Sequence, residues 1–336
     1  MKKSILFILL SSGILFLVYA AFEMFVPVQT VGKNIEIKIP KGATFRQAAD
    51  ILLREKLIRD KKIFMLLGRL TGADRRIRAG YYSVWTSMSP FDIFRIIRKG
   101  KIIEFDVRIL EGDSLREIAE TFSAAGIASS EAVMTVAVDK NFLALYGIAS
   151  PSIEGYIFPD TYVIAKGVTL EEALGLMIDR MREKFSDEIR ARAAMTGMSE
   201  AEVLTLASIV EKEAVVDAER PVIAAVYHNR LKKNMLLQAD PTSIYGVKSS
   251  KEKIMKSDLQ RQTPYNTYVN NGLPPGPIAS PGLKSIVATL NPAKVSYLYF
   301  VSNNDGTHVF SDTLTQHTEA VQAYRDKKRI QQEGYE

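Results

Sequence analysis

Two glutamates two residues apart, Glu211 and Glu213, stand in the largely apolar run Leu206-Ala-Ser-Ile-Val-Glu-Lys-Glu-Ala214. A carboxyl group in apolar surroundings has a raised pKa and can hold a proton long enough to donate it. Proton donation of that kind breaks glycosidic bonds. The run reads as one helix, and successive helical residues turn by about 100°, so the two side chains point roughly 200° apart. They cannot form one acid–base pair, and at most one of them belongs in a cleft. Glu213 shares its face with Leu206, Ile209, Val210 and Val216, and Glu211 shares its face with Ala207, Ser208, Ala214 and Val215. Periodicity does not choose between them. Two solvated or salt-bridged glutamates on an amphipathic helix would fit the same pattern.

Other chemistries find little support. Of the three histidines, His228, His308 and His317, no two share the i, i+4 spacing of a helical zinc site. No metal and no cofactor is therefore expected. His308 could join a serine and an aspartate in a triad, but no nucleophile-elbow motif is present. The absence of cysteine removes disulfides, iron–sulfur centres and thiol nucleophiles. Gly-rich phosphate loops are missing.

The surrounding segments carry groups suited to a sugar. Gln238-Ala-Asp-Pro-Thr-Ser-Ile-Tyr-Gly246 and Tyr265-Asn-Thr-Tyr268 place amide, hydroxyl and aromatic side chains in irregular stretches. Long ordered loops of this kind are uncommon and often functional. Gln238, Asp240, Thr242, Tyr265, Asn266 and Tyr268 are the candidate substrate-binding residues.

The elements that must position these groups are partly legible. Ile35 to Ile39 alternates as a half-buried strand, and Thr44 caps a helix expected to run to about Leu57. The same phrase returns about seventy residues later: Asp106 to Leu110 alternates, Glu111-Gly-Asp-Ser114 turns and caps, and Leu115, Ile118, Ala119 and Phe122 form a helical stripe. Between the copies, Ala79 to Val84 reads as a strand and Pro90 to Lys99 as a helix. Further on, Leu170 to Arg192 reads as one long surface helix. Ser199 with Glu202 is a capping-box pattern opening the helix of the two glutamates. A helix is expected over Arg220 to Leu231, little helix from Gln238 onward, a buried-type strand at Tyr297 to Val301, a second strand at Gly306 to Phe310, and a final helix from Leu314 to Lys328.

At 336 residues, with 47% hydrophobic and 24% charged residues, the chain is long enough for two cores. Its net charge of +6 is dispersed, with no basic tract of the kind that binds nucleic acid. Ser4 to Phe22 carries no charge and has about the ~20 residues a bilayer crossing needs. Tyr19-Ala20-Ala21 makes a poor cleavage signal, so an uncleaved single-pass anchor is expected. Lys2 and Lys3 put its N-terminus in the cytoplasm and the remaining chain on the outer side.

Glu111-Gly-Asp-Ser-Leu-Arg-Glu-Ile-Ala119 resembles the opening of a LysM module, a small peptidoglycan-binding unit. Glu154-Gly-Tyr-Ile-Phe-Pro-Asp-Thr161, Ala207-Ser-Ile-Val-Glu-Lys-Glu213, Leu237-Gln-Ala-Asp-Pro-Thr242, Tyr265-Asn-Thr-Tyr268, Gly272-Leu-Pro-Pro-Gly-Pro-Ile-Ala-Ser-Pro-Gly282 and Tyr297-Leu-Tyr-Phe-Val301 occur in order. Together they resemble the endolytic murein transglycosylases of the YceG-like family, over essentially the whole chain. Ala239 stands where such proteins often carry a hydroxyl residue.

The resemblance implies a lyase that cuts peptidoglycan glycan strands within the chain, next to the cell (inner) membrane. It implies that the second glutamate of the Glu-Lys-Glu motif, Glu213, is the catalytic acid, with Glu211 supporting or solvated. It also suggests peptidoglycan synthases as partners. The expected fold class is α+β: a cytoplasmic tail (1–3), a transmembrane helix (4–22), a linker (23–34), a LysM-like α+β region (35–149), a larger mixed α/β catalytic domain (150–330) and a tail (331–336). A non-catalytic peptidoglycan-binding anchor and a hydrolytic muramidase are the alternatives.

Overall fold

The computed structural model describes residues 2–73, 77–249 and 252–333, with side chains described up to residue 326. Met1 and residues 334–336 of the expected tail lie outside the described residues. The chain forms two compact units, Met1–Asp106 with Val163–Val168, and Val107–Tyr162 with Thr169–Glu336.

The first unit runs α1 (Lys2–Phe25), β1 (Asn34–Ile39), α2 (Phe45–Arg54), α3 (Lys61–Leu70), β2 (Gly80–Trp85) and α4 (Pro90–Arg98), and the chain then enters β3 (Glu104–Arg108). α1 is long and apolar enough to cross a membrane, and almost all of it is exposed, with Glu23 and Met24 the buried exceptions. β1 and β2 pair antiparallel, Ile35 opposite Val84 and Ile37 opposite Tyr82. Their inward side chains meet Phe45, Leu52, Phe64 and Phe94 in one core. There the Phe45 and Phe64 rings stack at 5.3 Å and Phe94 stands edge-on to both.

The repeated phrase forms twice in the same way. Thr44 and Ser114 each accept a hydrogen bond from the backbone three residues on, and Gln47 and Glu117 reach back to the capping N–H. Both boxes satisfy helix donors that would otherwise be orphaned. The turns before them need glycine, because Gly42 and Gly112 hold φ of 77° and 80°.

In the second unit come α5 (Leu115–Ala124), α6 (Ser130–Ala137) and α7 (Lys140–Leu145), the chain then passes through β4 (Thr161–Ala165), most of which belongs to the first unit, and α8 (Leu170–Lys184), α9 (Asp187–Thr196) and α10 (Glu200–Glu213) follow. A 3₁₀ turn (Asp217–Glu219) leads to α11 (Arg220–Lys232), α12 (Asp240–Ile244), α13 (Lys256–Leu259), α14 (Leu283–Leu290), β5 (Tyr299–Ser302), β6 (His308–Ser311) and α15 (Leu314–Glu333). The sheets are small: β1–β2, β3–β4 and β5–β6, each two-stranded. α10, α11 and α14 pack on one another. Leu206, Ile209, Val210, Ile223, Tyr227 and Ile278 form the core beneath the glutamates.

Three expectations need correction. The long helix over 170–192 is two helices: Phe185 turns inward and is buried, and Ser186 caps α9 through a bond from the Ile189 N–H. The region after Gln238 holds more helix than its composition suggests, because Leu283–Leu290 buries Ile286, Ala288 and Leu290 against α10 and α11. The strand near Tyr299 is half-buried, as befits a two-stranded sheet.

Candidate active site

α10 delivers its two glutamates to different surroundings. Its N-terminus is set by the Ser199–Glu202 capping box, and every residue from Val203 to Glu211 is buried. The carboxylate of Glu211 meets the Arg220 guanidinium at 2.8 Å and accepts the Gly282 N–H at 2.9 Å. Arg220 is itself buried and also bonds Asp217 and Ser285. Glu211 is therefore a buried, fully partnered ion-pair member that ties α10 to α11 and to the start of α14.

Glu213, the last residue of α10, has no cation beside it among the described residues. Its neighbours are the Tyr227 hydroxyl, which donates to Oε1 at 3.3 Å, the backbone N–H of Asp240, and the Asp240 carboxylate. Burial pushes the Glu213 carboxyl up to about 8, the negative charge of Asp240 adds to the rise, and the Tyr227 and backbone hydrogen bonds oppose it. Desolvation dominates, so the neutral acid is the favoured form at neutral pH.

Glu213 lines two cavities. The larger, about 560 Å³, is bounded by Ser114 and Arg116 of the α5 start, by Glu154 and Lys212, and by Asp240 and Tyr245. The smaller, about 370 Å³, is bounded by Gln238, Asp240, Tyr268, Arg230, Phe300 and His308. Volumes of this size are typical of ligand sites. Gln238 holds a left-handed backbone, φ 52°, while its side-chain oxygen accepts from Arg230. A non-glycine residue in that region is strained, and such strain clusters at functional sites.

A second buried carboxyl stands in the larger cavity. Glu154 accepts the Leu115 N–H at 2.9 Å and the Tyr245 hydroxyl at 2.8 Å. Burial pushes it up to about 7, against the pull of those hydrogen bonds. Gly155 beside it has φ 77°, and a Cβ there would lie 2.3 Å from Pro277, so the 272–282 loop can approach only a glycine. Tyr245 packs against Tyr265 with ring centroids 4.5 Å apart.

The expected substrate-binding residues separate into two groups. Gln238, Asp240 and Tyr268 line the cavities, and the Tyr268 hydroxyl donates to Asp240. Tyr265 supports Tyr245. Thr242 and Asn266 are fully buried and have spent their polar atoms on the protein. The Thr242 hydroxyl bonds Ala239 and Thr267, and the Asn266 amide donates to the carbonyls of Asp258, Leu259 and Arg261. They hold the loop in shape and line neither cavity. Sequence reasoning assigned no role to Glu154, Tyr227, Glu219 or Arg230. Only Glu154 carried a signal, as a charged residue heading the Glu154–Thr161 motif.

Glu213 thus places a desolvated carboxyl on the wall of both cavities, with the Asp240 carboxylate beside it and Glu154 across the larger one. The chain belongs to the YceG-like family, whose sequence profile matches residues 37–323. It is 33% identical to the endolytic murein transglycosylase of Bacillus subtilis (strain 168) over 319 residues, 90% of this chain and 88% of that protein. It is 28% identical to the endolytic murein transglycosylase of Streptococcus pneumoniae serotype 2 (strain D39 / NCTC 7466), spanning 95% of this chain and 64% of that longer protein. The 2.6 Å crystal structure of a YceG-like protein from Listeria monocytogenes matches with a TM-score of 0.60 at 33% identity, covering 86% of this chain and all of that one.

Proposed function

We propose that this chain is an endolytic murein transglycosylase in which Glu213 is the general acid. The observation that carries the reading is the desolvation of the Glu213 carboxyl, with no cation beside it among the described residues, on the wall shared by the two cavities. Protonated Glu213 donates to the glycosidic oxygen between N-acetylmuramic acid and N-acetylglucosamine as the C1–O bond breaks. The Asp240 carboxylate stabilises the positive charge that develops at C1. The muramoyl 6-hydroxyl closes on C1, its proton is taken up by the Glu213 carboxylate, and a 1,6-anhydro end results. No water is consumed, which is why one acid can suffice where hydrolases set two carboxylates across the bond.

The substrate is the nascent glycan strand, and cutting it ends polymerisation alongside peptidoglycan synthases. α1 acts as a single-pass anchor in the cell membrane, N-terminus cytoplasmic, with the catalytic region on the outer side. The region 35–149 serves as a LysM-like peptidoglycan-binding segment and 150–330 as the catalytic domain. The strand, glycine turn and capped helix formed twice, at Thr44 and at Ser114, support the first assignment.

Mass spectrometry of the products from purified glycan strands tests the reaction. Anhydro-ended fragments with no added water are expected. Reducing ends formed with the uptake of water would replace the lyase by a hydrolase, and binding without new ends would leave only an anchor.

A further inference from the structure

Glu213 faces two cavities, but the chemistry above uses only the groups nearest to it. One wall residue of the smaller cavity, His308, is held by a carboxylate behind it. Glu219, in the 3₁₀ turn just after α10, holds His308, the first residue of β6. One Glu219 oxygen accepts the His308 backbone N–H at 3.0 Å, and the other lies 2.7 Å from ring Nδ1. The ring is clamped between aromatic neighbours, edge-on to Phe300 at 5.2 Å and 6.2 Å from Phe310. A carboxylate on Nδ1 fixes the ring orientation and leaves Nε2 as its outward atom. Among the described residues Nε2 has no protein partner, and His308 lines the cavity that Glu213 also lines.

A histidine paired with a carboxylate is often no more than a structural clamp. Three features of this cavity favour a ligand. Its wall sets aromatic surfaces, Tyr268 and Phe300, beside the polar ends of Gln238 and His308, the mixture that a saccharide ring requires. Gln238 keeps its strained backbone there. Finally, a strand cut in its interior must occupy space on both sides of the acid, and the cavities meet at Glu213.

We propose that the smaller cavity is a sugar subsite across Glu213 from the larger one, and that His308 Nε2, oriented by Glu219, is its hydrogen-bonding anchor. The ligand class is a glycan ring with free hydroxyl or N-acetyl groups. The proposal rests on the glycan-cleaving reading and extends it, because it says how the strand is held.

The two ends of an imidazole can be separated by substitution. Asparagine keeps a group near the Nδ1 position and loses Nε2, whereas glutamine keeps a group near Nε2. In the full-length Glu213→Gln protein, affinity for purified glycan strands of graded length is measured with His308→Asn or His308→Gln added. The subsite predicts that His308→Asn weakens binding of long strands about tenfold, the loss of one ligand hydrogen bond in a desolvated site. Strands that fill only one cavity should be little affected, and His308→Gln should restore most of the loss. A purely structural clamp predicts the reverse order, asparagine tolerated and glutamine not. Equal affinities for the parent and His308→Asn would overturn the subsite while wild-type cleavage kept the general reading intact. Wild-type protein that cleaves no glycan would overturn both.

Discussion

The two faces of α10 put the same side chain to opposite uses. On one face Glu211 meets a buried arginine and a backbone N–H, and every charge is answered. On the other Glu213 meets a tyrosine hydroxyl, a backbone N–H and a second carboxylate, and no cation answers it among the described residues. Both are withdrawn from solvent, Glu211 fully and Glu213 in part. The partner decides whether a buried carboxylate becomes a strut or stays an acid. A cation across the gap supports the ionised form, whereas apolar walls and a like charge support the neutral one.

The largest effect that could break this contrast is Glu213→Gln. It should fold and pack as the wild type does, yet lose about a thousandfold in cleavage rate on glycan strands, within the usual range for a general acid. Glu211→Ala should do the opposite. Removing it strands Arg220 in a buried setting, and chemical denaturation should show a loss of about 3 kcal/mol. Whatever protein remains folded should keep an acid of unaltered chemistry. If the two variants exchanged phenotypes, the assignment of faces would be wrong.

Stability against pH sharpens the contrast further. The folded carboxyl of Glu213 is raised from 4.5 to about 8, so in that window the native state binds more protons than the unfolded chain. The sign is then fixed: stability falls as pH rises through the window. Glu213→Gln removes that slope and should match the wild type near pH 4. Above pH 8 it should be the more stable protein, by roughly a few kcal/mol. Glu154 loses stability in the same direction between 4.5 and about 7, but it does so in both proteins and cancels in the comparison. The smallest effect expected is that of Tyr227→Phe. It deletes a donor that favours the ionised form of Glu213, so the alkaline limb of the rate profile should move to higher pH, with little change in rate at neutral pH, where the acid is already mostly protonated.

Local features explain what could be read in advance. Capping at Thr44, Ser114 and Ser199 depends on residues three apart, and all three boxes form. The divergence of Glu211 from Glu213 follows from helix geometry alone. Long-range contacts account for what could not be read. Glu154 becomes a buried carboxyl only because Leu115 and Tyr245, 39 and 91 residues away, close over it. Glu219 and His308 are 89 residues apart. Thr242 and Asn266 have the composition of sugar contacts, yet the carbonyls and hydroxyls of their own loop claim them first. The break at Phe185 was hidden in a similar way, since a continuous helix would have kept that ring from the core it fills.

The most direct measurement is the protonation state of Glu213 itself. Infrared difference spectra of wild type against Glu213→Gln, recorded across pH, isolate that one carboxyl from Glu154 and from every other acid. A protonated carboxyl band should be present in the wild type at pH 7, absent from the variant, and should titrate away near pH 8. A wild-type difference spectrum showing only ionised carboxylate at pH 7 would contradict the claim that this end of α10 holds a proton ready to give.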